Sequence, residues 1–317
     1  MSKLQDDKKS VCLIGLGNVG YGKYLHKNGG TVLDHYSAIR NSQFLEIRRA
    51  IDQKIPSELA SIGKKSVAEV EDNEYNLVVV ASNTQNHLEI IEELMRIAHT
   101  DVILLEKPGT SSLAEFLKLE RMMKDKDSNL FVNYQRNYNP NIMEKLLDNK
   151  LGQIQCGVVH YSNGALNNAS HALAIVLKLL KDDVLVSRLN ESPGDIHADL
   201  NFELVNSSGC RIVFLATNEK NYSNFRIEMD YENGVVFYDS ASSFIETKFR
   251  VPDPNFLGRY CLSEKAIKSE TKEHIGFSYV YDFIVNELAN VRNAEYLGVD
   301  SSLARQIHII LDTIQNG

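Results

Sequence analysis

The feature that most restricts this chain is a short apolar run, VCLIGL at residues 11 to 16, that opens straight into glycines. Gly15, Gly17 and Gly20 stand in G-x-G-x-x-G spacing. The first glycine permits a tight turn, the second lets a pyrophosphate approach the backbone, and the third lets a helix pack closely on the strand. Helix N-terminal amides then face the phosphate. Asn18 and Val19 complete the loop and count with the glycines as candidate cofactor contacts. A glycine turn that binds nothing is the competing reading, and the pattern downstream weighs against it.

That pattern is an alternation. Apolar runs at 44–52 (FLEIRRAID), 76–82 (NLVVVAS), 101–106 (DVILLE) and 129–134 (NLFVNY) read as parallel strands buried on both faces. Between them, HLEIIEELMRIA places Leu88, Ile91, Met95 and Ala98 on one helical stripe, and SLAEFLKLERMM has similar spacing. Crossover helices joining parallel strands make a doubly wound sheet. From about residue 150 the texture changes. DIHADLNFELV alternates Ile196, Ala198, Leu200, Phe202 and Leu204 against polar neighbours, and FRIEMDYENGVVFYD repeats the alternation around Asn233-Gly234, a two-residue hairpin signal. Helical segments follow at 277–291 and 302–314. The fold class is therefore α/β: an N-terminal Rossmann-type doubly wound parallel sheet over 1–135, then a C-terminal α+β domain over 136–317 with a mostly antiparallel open sheet and its last helices packing back on the body.

Composition narrows the partners. With 317 residues, 43% of them apolar, the chain fills a core in each domain. A net charge of −8 without a basic stripe argues against nucleic acid and anionic membrane, and for a small-molecule substrate. The four cysteines, Cys12, Cys156, Cys210 and Cys261, are far apart, form no metal-ligand spacing and suit a reducing cytoplasm. The polar start MSKLQDDKKS is neither a signal peptide nor a membrane span.

Asp52, at the end of the second run, is the candidate for the adenosine ribose hydroxyls. A carboxylate there favours NAD, since a 2′-phosphate would meet like charge. Arg48, Arg49 and Lys54 nearby keep NADP open. From Gly20 to Asp52 is 32 positions, where about 20 is usual, so an inserted loop is expected around Asn28 to Asp34.

The fourth run ends DVILLEKPGT, which brings Lys107 to the carboxyl end of a buried strand, where ligands of open α/β sheets sit. With the glycine loop, NLVVVASNTQNH and LLEKP, the chain resembles the glucose-fructose oxidoreductase and inositol dehydrogenase family, Gfo/Idh/MocA. VNYQRNYNP at 132–140 is similar to that family's interdomain segment, with Asn137 where a second arginine is common. NGALNNASHAL at 163–173 resembles its substrate motif, with His171 in place and Asn167 where the family has Asp. The resemblance implies that Ala81, Ser82, Asn83 and His87 line the cofactor cleft. It further implies that Glu106 and Pro108 shape the turn beside the nicotinamide, that Lys107 reaches the oxygen of the reacting carbon, and that the chain forms a homodimer or homotetramer through the open sheet. The extended loop and the NNASH wording are similar to a subgroup tied to surface polysaccharides and sugar nucleotides.

Oxidising a secondary alcohol needs a proton acceptor and a group that stabilises developing negative charge. Imidazole, with a reference pKa of about 6.5, suits the first task, and an ammonium near 10.4 suits the second. His171 is assigned as acid or base, Lys107 as polariser, and Asn167, four positions before His171, as the residue that orients the imidazole. No metal is called for. Blander readings stand beside these. His171 also fits a helix start with Ser170 as N-cap, Lys107 a strand-end surface lysine, and His87 a packing residue of the cleft wall. Arg136 and Tyr138 either hold the domains together or contact substrate; Tyr161 and Asn168 are further candidate substrate contacts, and Tyr161 equally suits packing. The leading function is an NAD(P)-dependent oxidoreductase acting on a sugar, sugar nucleotide or cyclitol. A dinucleotide-binding regulator without turnover, and reduction of a small nonsugar ring, are the alternatives.

Overall fold

The computed structural model describes residues 8–22, 31–70, 74–189, 200–217, 224–291 and 297–316. The five apolar runs of the first half become β1 (Lys9–Ile14), β2 (Leu45–Ile51), β4 (Glu74–Val80), β5 (His99–Glu106) and β6 (Asn129–Asn133), with a two-residue β3 (Gly63–Lys64) between the second and third. All pair in parallel in the order β3-β2-β1-β4-β5-β6. The order reverses between β1 and β4, and a crevice forms beyond the carboxyl ends of strands at such a switch point. Leu77, Val78, Val79 and Val80 are all fully buried, as a strand covered on both faces requires. The covering helices are α1 (His35–Asn41), α2 (His87–Ile97) and α3 (Leu113–Asp125). Of the expected stripe on α2, Ile91 and Met95 are buried, joined by His87 and Leu94 in place of Leu88 and Ala98.

The helix after the glycine loop is interrupted. Tyr21 N donates to Gly17 O at 2.9 Å, which closes one turn, and α1 begins only at His35. Yet His35 N donates to Val19 O and Tyr36 N to Gly20 O, both at 2.9 Å. In an unbroken α-helix residues 23 and 24 would hold those carbonyls, so the helix resumes with 35 − 23 = 12 residues spliced into it. Subtracting them from the Gly20-to-Asp52 separation gives 32 − 12 = 20, the ordinary spacing of the motif. The insertion expected at Asn28 to Asp34 thus spans the whole stretch between Gly22 and His35, of which 23–30 lies outside the described residues.

The second sheet has nine strands: β7 (Ile154–Tyr161), β8 (Val184–Arg188), β9 (Phe202–Asn206), β10 (Arg211–Ala216), β11 (Phe225–Tyr231), β12 (Gly234–Asp239), β13 (Phe244–Pro252), β14 (Tyr260–Leu262) and β15 (Ile267–Glu270). They run in the order β14-β13-β12-β11-β7-β10-β9-β8, with β15 paired to β13, and among the described residues only β7 with β10 is parallel. Ile196 and Ala198 of the expected alternation lie outside the described residues. The chain enters this part through α4 (Pro140–Leu146), and α5 (Ser170–Leu180), apolar nearly all round, is buried nearly all round. One expectation is corrected here. Tyr231 pairs with Gly234, so the hairpin loop is Glu232-Asn233 rather than Asn233-Gly234. Gly234 is needed for space, because a Cβ there would stand 2.4 Å from Lys248 O on the neighbouring strand.

Two long segments close the chain, α6 (Gly276–Leu288) and α7 (Ser301–Asn316). The polypeptide divides into two compact units, Met1–Tyr138 with His274–His308, and Asn139–Glu273 with Ile309–Gly317. Helix α6 accordingly belongs with the parallel sheet, where Phe283 meets Phe131 and Tyr138 edge-on, each at 5.2 Å. Among the described residues no helix is long and apolar enough to cross a membrane, and no group of three or more His, Cys, Asp or Glu could hold a metal ion.

Candidate functional site

The three glycines meet three different demands. Gly15 turns the chain at φ +89°, and a Cβ there would fall 2.6 Å from the Ala81 carbonyl carbon. A Cβ on Gly20 would fall 1.9 Å from Gly15 O, so the helix start packs backbone to backbone on the strand end. Gly17 has nothing within 4 Å of where its Cβ would be. It faces open space, the condition for a phosphate to approach the backbone.

That space is a cleft of about 580 Å³, within the usual range for small-molecule and cofactor sites. Gly15, Gly17, Asp52, Ala81, Ser82 and Asn83 line it. Asn18 and Val19 are exposed on the loop outside the lining. Asp52 accepts from Leu16 N at 2.7 Å and from Lys54 N at 2.9 Å, so its carboxylate ties the end of β2 to the glycine loop. Ser82 Oγ is buried without a hydrogen-bond partner, a cost of about 1–3 kcal/mol unless a ligand answers it. The sequence reading missed Gln53, Lys65, Ser66, Glu89 and Glu93 on the same wall. Lys65 and Ser66 follow a strand of two residues, too short to leave a periodic signal; the two glutamates stand four apart near the start of α2, a spacing that would have placed them on one face. The donor set fits a dinucleotide: an open glycine, an unanswered hydroxyl and a carboxylate at the strand end.

Beyond β5 the Glu106-Lys107-Pro108 turn, with a cis Lys107–Pro108 bond, is held from several sides. His87 is fully buried, its Nδ1 2.7 Å from Gly109 O and its Nε2 2.9 Å from Ser82 O. It joins the two loops and is not among the residues that line the cleft. Tyr134 donates its hydroxyl to Pro108 O at 3.3 Å, and His308 of α7 stacks on Phe116 at 4.6 Å, with its Nε2 next to Gly109. Burial pushes the His308 imidazole down to about 4, against the pull of the Pro108 carbonyl.

Glu106 accepts from His35 Nε2 at 3.0 Å and from Asn133 Nδ2, while His35 Nδ1 lies 2.8 Å from the Tyr281 hydroxyl. Burial alone would raise the Glu106 carboxyl; the hydrogen bond and charge of His35, the Asn133 amide and the Lys107 charge outweigh it and hold the group below the ordinary carboxylate range. Lys107 is shifted down by burial and by the Arg136 guanidinium, with the Glu106 charge opposing. Lys107 is thus a half-buried cation with lowered proton affinity rather than a surface lysine. His35, Asn133, Tyr281 and His308 went unseen in the sequence because their partners are remote along the chain.

In the second unit, α5 is entered through a π-helical turn, Ala165–Ala169, after Gly164 at φ +87°. Ser170 is not an N-cap: Ala169 holds that place, and Ser170 Oγ donates back to Leu166 O at 2.7 Å and Asn167 O at 3.2 Å. His171 follows at 8% exposure, whereas Asn167 is exposed. Asn168 Nδ2 donates to Ser162 O at 2.8 Å and so shapes the turn. Tyr138 and Tyr161 are fully buried, their hydroxyls donating to Val132 O and Leu200 O, contacts that suit the packing role given for each. Arg136 is half-buried.

Residues 9–134 match the model of an oxidoreductase family with an NAD-binding Rossmann fold, Gfo/Idh/MocA. Among solved structures, the WlbA dehydrogenase from Bordetella pertussis in complex with NADH and UDP-GlcNAcA is 18% identical, with 98% of this chain and 96% of that one covered at TM-score 0.73. UDP-N-acetylglucosamine 3-dehydrogenase GnnA from Acidithiobacillus ferrooxidans is 15% identical, covering 98% and 97% at TM-score 0.71. A super-repressor mutant of Gal80p from Saccharomyces cerevisiae is 12% identical, covering 97% and 95% at TM-score 0.76. No curated protein sequence matches the chain. At such identities the structural likeness establishes the fold, and function is argued from the site.

Proposed function

We propose, from the premise that this chain belongs through residues 9–134 to the Gfo/Idh/MocA oxidoreductase family, that it moves a hydride between NAD and the hydroxyl or keto carbon of a sugar nucleotide or related sugar or cyclitol. The observation that carries this reading is the open space over Gly17 at a cleft that also holds Asp52 and the unanswered Ser82 hydroxyl. The preference for NAD over NADP follows from charge: Asp52, Glu89 and Glu93 put three carboxylates on the cleft wall against the single ammonium of Lys65.

Bound in this cleft, the nicotinamide supplies the hydride donor or acceptor. The chain's own groups supply the rest. Lys107 stabilises negative charge developing on the substrate oxygen, a role suited to a half-buried cation at a strand end. His171, on α5, gives or takes the proton, and Asn167 orients its imidazole. The WlbA complex with NADH and UDP-GlcNAcA, and GnnA, named for a UDP-sugar, support the substrate class. The test is NADH binding by fluorescence, followed by a panel of UDP- and CMP-sugars, in alcohol and keto forms, with the nicotinamide absorbance followed. Binding with turnover of at least one sugar nucleotide is expected; absence of NADH binding would contradict the reading.

A second reading is a dinucleotide-binding regulator. It is favoured by the super-repressor Gal80p, which shares the fold, and by Asn167 in place of the family carboxylate. NADH binding with no hydride transfer across the panel would select it.

A further inference from the structure

Four elements of the first unit meet around the Glu106 carboxylate and the imidazole of His35. Glu106 ends β5, Asn133 ends β6, Tyr281 lies on α6, and His35 is the first residue of α1, where the helix resumes after its 12-residue interruption. His35 is fully buried, with Phe277 edge-on against its ring at 4.9 Å. Its backbone amide donates to Val19 O of the glycine loop, its Nε2 reaches Glu106 Oε1 at 3.0 Å, and its Nδ1 meets the Tyr281 hydroxyl at 2.8 Å. A carboxylate only accepts, so Nε2 is the donor of that pair and the Tyr281 contact fixes the ring's orientation.

We infer that His35 is a positioning residue. Its ring anchors the Glu106 carboxylate immediately before Lys107, and its amide closes the interrupted helix over the glycine loop, so one residue holds both parts of the nucleotide site in register. The inference rests on the proposed role of Lys107 and adds to it what keeps that turn in place. Neither the glycine motif nor the Glu-Lys-Pro sequence requires a histidine at this point, because the residue arrives on the far side of the inserted segment.

The physical reason is the cost of a buried carboxylate. Glu106 has 13% of its side chain exposed, and burial opposes its charge. The groups facing it are His35 at the start of α1, Tyr281 on α6, Asn133 and Tyr138 at and after β6, and Lys107 in the turn; behind them Asp34 faces Tyr281 and Arg136 faces Lys107. Of these, His35 and Asn133 donate to it directly. Without His35 the carboxyl should take up a proton at higher pH, and the negative charge behind Lys107 should be lost sooner on acidification.

The test is a 13C NMR titration of the full-length protein labelled at glutamate side-chain carboxyls, with Glu106 assigned by its absence in Glu106→Gln. In His35→Phe the midpoint should rise by about one pH unit or more. His35→Gln, whose amide can still donate, should recover at least half of that rise. An equal midpoint in His35→Phe and wild type, or a His35→Gln midpoint no nearer to wild type than that of His35→Phe, would overturn the assignment. Should His35→Phe not fold, Tyr281→Phe, which frees the ring without touching Glu106, should raise the midpoint by a smaller amount, and an unmoved midpoint there overturns it equally. The titration needs no turnover, so a wild type that fails to bind NADH would defeat the role of Lys107 while leaving the His35 contact to be decided by the midpoints.

Discussion

Gly17 and Gly20 lie three positions apart and answer opposite demands. A methyl on Gly20 would enter the van der Waals shell of Gly15 O, and a methyl on Gly17 would enter empty cleft. Gly20→Ala is therefore expected to lower stability by several kcal/mol, on the order of 3 or more since backbone must shift, while Gly17→Ala changes the melting temperature by only a degree or two. Differential scanning calorimetry of the pair checks this. Asp52 links ligand and loop, because both its oxygens already accept backbone amides. In Asp52→Asn one of those amides loses its acceptor and a negative charge leaves the wall. NAD affinity should fall by about 10- to 100-fold, and the ratio of NAD to NADP affinity should fall with it, as read by parallel titrations. Lys107→Met should cut hydride transfer by about 10²- to 10⁴-fold while NADH affinity moves by less than about tenfold, a split that single-turnover and binding experiments resolve.

At the scale of elements, the Glu-Lys-Pro turn is a hub between β5, α2 and α7. His308 of α7 is buried against it and held down to about 4. In the unfolded chain the same imidazole titrates near 6.5. Between those values the unfolded state binds a proton that the folded state refuses, so stability is fully present above about pH 6.5 and is lost as pH falls toward 4, by on the order of 3 kcal/mol. In His308→Gln this loss should vanish, so the stability gap between variant and wild type, measured by urea unfolding, should narrow from pH 7 to pH 4.5. The strands of the parallel sheet were legible in the sequence because burial on both faces forces unbroken apolar runs. The two-residue β3 was not, nor were Lys65 and Ser66 beyond it. The interrupted helix left one trace, the excess spacing from Gly20 to Asp52, which revealed an insertion without its ends. The His35–Glu106–Tyr281 contacts left none, since these residues lie 71 and 246 positions apart and no local period joins them. The Asn-Gly signal misled by one residue, because Gly234 serves the neighbouring strand rather than the turn.

At the scale of the molecule, the chain pairs a parallel-sheet unit, in which residues 9–134 match the model of an oxidoreductase family with an NAD-binding Rossmann fold, with a unit built on the second sheet and carrying the NNASH segment. Solved structures with this fold across nearly the whole chain include sugar-nucleotide dehydrogenases and a super-repressor, so fold alone does not choose between turnover and regulation. Both readings require the dinucleotide to sit over Gly17, and the enzymatic one adds Lys107 and His171. The most direct measurement is therefore a calorimetric titration of NADH into the wild type and into Gly17→Ala at equal fold stability. Saturable 1:1 binding by the wild type that weakens by about 100-fold or more in Gly17→Ala is the predicted result. Equal binding by the two, or none by the wild type, would contradict it.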